Sequence, residues 1–194
     1  MLPTWVPDIE TKPAPGDLLL LQAFINTFEA DTGIDLLSER ETANTWLHDS
    51  ELVPAAVDVD ASGLARLRGV REAFRSLVEH NAGLGELSPT AFDLLTEALD
   101  GSTIGLRMDA ADRHWVRTES QGADPVGRAV VRLMLIVRDA QLEGTWERLK
   151  VCSRAECRWA YYDRSHSQKG RWCDMATCGN RIKNQALRAR RQSN

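Results

Sequence analysis

The stretch VCSRAECRWAYYDRSHSQKGRWCDMATCGNRIKNQALRARR, Val151 to Arg191, decides how the rest of the chain is read. It holds all four cysteines, Cys152, Cys157, Cys173 and Cys178, as two C-x4-C pairs separated by fifteen residues. In a cytoplasmic setting thiols stay reduced, and paired cysteines more often bind metal than form disulfides. Zinc favours four soft thiolate ligands in a closed tetrahedron, so the expectation is one structural Zn2+. Two disulfides, an iron–sulfur cluster or unrelated thiols are the alternatives. Clusters usually show tighter cysteine spacing.

Between the pairs, Arg158 to Asp163 is aromatic and strand-like, Ser165 to Gly170 turn-like, and Arg171-Trp172 is expected to return as a second strand. After Cys178 the residues are strong helix formers, with Arg181, Lys183, Arg188, Arg190 and Arg191 facing outward. A knuckle, a hairpin and a helix whose first turn brings the last ligand make a treble-clef arrangement. Forty residues bury too little apolar area to fold alone, and metal ligation supplies the missing free energy. Trp159, Tyr161, Tyr162 and Trp172 are read as a miniature core rather than a stacking platform for bases.

Charge divides the chain at the same place. Residues 148–194 hold twelve Lys/Arg and three Asp/Glu, or +9; residues 1–147 hold twelve basic and 25 acidic groups, or −13. A basic module on an acidic body points to a polyanion partner for one end. Arg164, Lys169, Arg171, Arg181, Lys183, Arg188, Arg190 and Arg191 are the candidate nucleic-acid contacts, because arginine and lysine neutralise phosphates and release counterions.

The body reads as mainly helical. Residues 1–16, with four prolines, are expected to be an extended lead-in that Trp5 anchors. Asp17 is expected to cap a helix carrying Leu18, Leu21, Ile25 and Phe28. Further helices are expected from Ser38 or Glu39 to about Ser50, from Asp60 through Val78, from Ser88-Pro89 to Leu99, and from Asp124-Pro125 to Gly144. Residues 102–119 fit a β-hairpin. Asn26-Thr27 interrupts the first helix, and Arg71 and Arg75 lie one turn apart. A structural polar knot and a solvated charged face are the simpler readings; a ligand site built on Asn26, Thr27, Arg71 and Arg75 is the alternative. No P-loop, nucleophile elbow, dinucleotide fingerprint or histidine metal motif is present, and no enzyme is expected. No apolar run approaches the length of a membrane helix, and no secretory signal is evident, so a cytoplasmic location is expected.

The tetrapeptide Cys178-Gly179-Asn180-Arg181, with Asp163-Arg164-Ser165, Arg171-Trp172-Cys173 and Met175, resembles the CGNR zinc finger. The body, through Phe24-Ile25-Asn26-Thr27, Trp46-Leu47 and the helix beginning Asp124-Pro125, resembles the ABATE domain usually fused to that finger. The resemblance implies an α+β protein: an ABATE-like body over 1–147 that binds an unidentified small molecule, then a treble-clef finger over 148–194 that binds DNA. It also implies a stress-responsive transcription regulator. A zinc-stabilised protein-interaction or RNA-binding module is the alternative. Homodimerisation is left open, with no heptad seam visible.

Overall fold

The helix α1, Leu18–Ile25, is apolar on nearly every side, and all its residues except Leu19 are buried. A helix hydrophobic all round belongs at the centre of a core. The structure, a computed structural model, describes residues 2–108, 115–119 and 124–180. Around α1 stand α2 (Arg40–Asp49), α3 (Ala61–Asn81), α4 (Pro89–Ala98) and α5 (Pro125–Leu142). Phe24 of α1 meets Trp46 of α2 and Phe74 of α3, ring centroids 6.2 and 6.5 Å away.

Capping sets most of these boundaries. Asp60 accepts from the Gly63 amide, Ser88 from Ala91, and Asp124 from Val126 and Gly127, each at the start its residue type signals. Asp17 does not behave this way. Its side chain makes no cap bond, and α1 is entered through a backbone turn in which the Leu20 amide donates to Asp17 O at 2.9 Å.

Nor does α1 continue to Phe28. Thr27 Oγ1 donates to Phe24 O (2.8 Å) and Arg75 Nη2 to Ile25 O (2.6 Å), so side chains take the carbonyls that a further turn would use. Phe28 instead opens β1 (Phe28–Glu29), antiparallel to β2 (Ile34–Asp35). The expected hairpin forms from β3 (Ile104–Met108) and β4 (Trp115–Glu119), with Ile104 opposite Glu119.

A 3-10 turn, Trp146–Arg148, leads from α5 into β5 (Leu149–Val151), which pairs antiparallel with β6 (Ala160–Tyr162). β5 lies on α3 and β6 on α1. Trp146, Leu149, Val151, Ala160 and Tyr162 therefore belong to the same hydrophobic cluster as the body helices. The division at residue 147 is a change of charge and chemistry, and apolar packing crosses it. Among the described residues, no helix is long and apolar enough to cross a membrane.

Candidate metal centre

The hairpin β5–β6 positions the first cysteine pair. The Cys152 amide donates to Trp159 O (2.9 Å), and the amides of Cys157 and Arg158 both donate to Arg154 O. Arg158 takes φ +48° to close this knuckle. The segment after β6 is arranged by Asp163, which accepts from Ser165 N (3.0 Å), Gly170 N (2.8 Å) and Lys150 Nζ (3.2 Å). Burial alone would raise the Asp163 pKa, but these donors outweigh it and hold the carboxyl at about 2. A Cβ at Gly170 would lie 2.8 Å from that carboxylate, so only glycine fits there.

Arg171-Trp172 does not form the expected return strand. β6 already has β5 as its neighbour, and the link to residue 171 is the bond from the Ser153 amide to Arg171 O at 2.8 Å. The second cysteine pair is set by Asp174. Its carboxylate accepts from Ala176 N, Thr177 N and Thr177 Oγ1, capping the π turn Met175–Gly179 that delivers Cys178. Gly179 packs beneath Met175, whose sulfur would be 2.8 Å from an added Cβ.

These elements bring the four Sγ atoms within 4.8 Å of one another. Cys157–Cys173 and Cys173–Cys178 are each 3.7 Å apart. A disulfide needs about 2.05 Å, and all four cysteines are free. With Zn–S bonds of about 2.3 Å, the edge of a tetrahedron is about 3.8 Å. The donor set and its spacing therefore fit one zinc ion. Without a cation, four sulfurs this close share protons: Cys152, hydrogen-bonded by Cys157 and Cys173, is pulled down as Cys173 is pushed up. Zinc displaces those protons, and a complete thiolate set leaves no position for water, which makes its role structural.

The model of the CGNR zinc finger matches residues 148–191. The ABATE model, described as "Putative stress-induced transcription regulator", matches residues 19–141, more than half of the sequence. The chain belongs to the ABATE family. Its C-terminal part is a CGNR zinc finger, and no curated protein matches the chain.

In this ABATE protein, two residues of the alternative ligand site, Asn26 and Arg75, join body to finger, while Thr27 and Arg71 bond within the body. The Asn26 side chain meets both the amide and the carbonyl of Ala160. Arg75, 1% exposed, donates to Ile25 O, Phe28 O and Arg158 O and pairs with Glu72. Arg71 holds Asp35 through two bonds, at 2.6 and 2.9 Å, and also reaches Thr27 Oγ1 and Glu72. Both guanidiniums stand over the Phe28 ring. Burial would raise the Asp35 pKa, but Arg71 holds its carboxyl below the ordinary range. Protein groups thus bond Asn26, Thr27, Arg71 and Arg75, and the two arginines are buried rather than on the solvated charged face that is the simpler expectation for them.

Sequence reasoning missed the other half of this seam. Residues 10–14, expected as part of a loose lead-in, form a strap across the finger. Buried Glu10 accepts from Trp159 Nε1 (2.9 Å) and Lys12 N (2.8 Å). Tyr162 N donates to Lys12 O, Lys12 Nζ to Trp172 O (2.6 Å), and Thr11 Oγ1 to Cys173 O. Gln22 of α1 pins the strap from below, accepting from Ala14 N and donating to Lys12 O and Ala160 O. Trp5 anchors through its carbonyl, which accepts from Trp46 Nε1. A proline-rich stretch has no periodicity that would announce such partners.

The finger's basic residues divide by direction. Arg148, Lys150, Arg154 and Arg158 turn inward, to Asp163 O, the Asp163 carboxylate, Asp31 and Glu79 respectively. Arg164, Lys169 and Arg171 are exposed, Arg164 also donating through Nη2 to Pro13 O at 2.9 Å. Of the four aromatics expected as a miniature core, Trp159 is buried among the cysteines with Trp172 partly buried beside it, whereas Tyr162 belongs to the body's core. Arg181, Lys183, Arg188, Arg190 and Arg191 lie outside the described residues.

Proposed function

We propose that this protein is a non-enzymatic, cytoplasmic regulator that binds duplex DNA through the outward basic residues of its zinc finger. The observation that carries this reading is the division just described. Cations in the core of the finger are consumed by internal bonds, while Arg164, Lys169 and Arg171 stay exposed on the segment between the second and third cysteines. The sequence adds five more cations beyond Gly179. The acidic body opposes non-specific attachment elsewhere on the molecule and orients the finger toward the polyanion. Arginine at base edges can add guanine readout to phosphate contact.

The test is fluorescence anisotropy of zinc-loaded protein with a pool of duplexes, titrated with salt. Six to eight phosphate contacts predict that affinity falls by roughly 10³–10⁴-fold between 50 and 200 mM salt. K169A/R171A should weaken binding on all sequences and make the salt slope shallower by about two contacts. Absence of binding at low salt, or an affinity indifferent to salt, overturns the proposal.

A further inference from the structure

Arg154 lies inside the first knuckle, between Cys152 and Cys157. Its Nε donates to Cys178 Sγ at 3.3 Å, tying the first knuckle to the last metal ligand. Its Nη2 pairs with Asp31, in the turn between β1 and β2 of the body. Asp31, Arg154 and Cys178 line one cavity of about 240 Å³, walled also by Ile9, Thr11 and Trp159.

We infer that Arg154 is a positioning residue of the metal centre, and that through Asp31 the body sets how firmly the finger holds zinc. Four thiolates on Zn2+ carry a net charge of about −2. A donor to one sulfur disperses that charge and fixes the direction of the sulfur lone pairs; loss of such outer partners typically costs 10–100-fold in metal affinity. The guanidinium suits this task because its planar fork presents Nε to the sulfur and Nη2 to the carboxylate at once, which a single ammonium cannot do. As an ion pair the Asp31 contact is worth little, since Asp31 is partly exposed. Its effect is expressed through the orientation of Arg154.

The inference is tested without DNA, and its outcome is independent of the proposed function. Zinc release from the full chain to a chromogenic chelator is timed for the wild type, R154A, R154K, D31N and E79Q. E79Q weakens a second body–finger ion pair, Arg158–Glu79 at 2.7 Å, that has no bond to sulfur. R154A is expected to release zinc roughly 10–100-fold faster. D31N and R154K should fall between it and the wild type, and E79Q within about twofold of the wild type. Cobalt-substituted protein should show a shifted sulfur-to-cobalt charge-transfer band in R154A and an unshifted one in E79Q. Release from R154A at the wild-type rate overturns the inference. So does equal acceleration in D31N and E79Q, which would reduce Arg154 to a docking contact. If R154A does not fold, D31N and R154K against E79Q decide the question.

Discussion

Asn26 and Ala160, 134 residues apart, meet as two strands would: Asn26 Nδ2 donates to Ala160 O and Ala160 N donates to Asn26 Oδ1, each at 2.8 Å. The amide side chain stands in for the missing neighbour of β6 and satisfies both backbone groups of a residue with no exposed surface. Asn44 does the same for Val59, at 3.1 and 2.7 Å. N26A leaves the Ala160 amide unpaired in the core, while the carbonyl keeps Gln22 Nε2 at 3.2 Å. At about 1–3 kcal/mol for a buried unsatisfied group, the expected loss is about 1–3 kcal/mol, read from urea unfolding of the zinc-loaded protein.

Lys150 and Asp163 form a buried ion pair at 3.2 Å, and both side chains are under a tenth exposed. D163A strands the ammonium and should cost about 3–5 kcal/mol. The Asp163 carboxyl is depressed from 3.8 to about 2. A depressed acid contributes stability that is complete above its unfolded pKa and is lost as pH falls through its folded one. The window is therefore about pH 4 to 2, and the contribution about 2 kcal/mol. Acid also protonates the cysteines, so the quantity to measure is the difference between wild type and D163N. That difference should shrink across the window; a constant difference excludes Asp163 as the titrating group.

Tyr161 has no exposed surface, and its hydroxyl has no partner among the described residues. Burial raises its pKa, which keeps it neutral at physiological pH. Y161F removes an unsatisfied polar atom and retains the ring beneath Lys12 Nζ, 4.8 Å from its centroid. Thermal unfolding should show it neutral or stabilised by about 1 kcal/mol. Destabilisation beyond that would reveal a partner for the hydroxyl.

Zinc removal should loosen the body as well as the finger. Trp146, Leu149, Val151, Ala160 and Tyr162 are shared with the body's core, and Thr11 and Lys12 bond to Cys173 O and Trp172 O. Chelation is expected to lower the melting temperature of the helical signal together with that of finger tryptophan fluorescence, as one transition. A helical melt indifferent to chelator would show that the body holds its shape without the finger.

What the sequence disclosed was local. Asp60, Ser88-Pro89 and Asp124-Pro125 announce helices because a cap needs only the next three residues. The cysteine spacing announced the metal centre for a similar reason, since each knuckle is a short turn. The strand pairing of β6 was not legible: Arg171-Trp172 was the expected neighbour, and β5 takes that place because packing on α1 and α3 decides it. The roles of Glu10, Arg154 and Arg75 were also hidden. Their partners lie 149, 123 and 83 residues away, where neither spacing nor periodicity carries information.

The strap also imposes an order in time. Residues 10–14 leave the ribosome early, yet their partners at 160–173 are made about 150 residues later. At 5–20 residues per second, the strap waits roughly 8–30 s for a surface to lie on. Through that interval Gln22 and Asn26 lack the Ala160 groups they will hold, and α1 lacks one wall. The long sequence separation makes closure a late event in folding. Completion of the body thus reports that the chain has been made and folded as far as Cys173, so a chain stalled before residue 160 is chemically distinguishable by its uncovered α1.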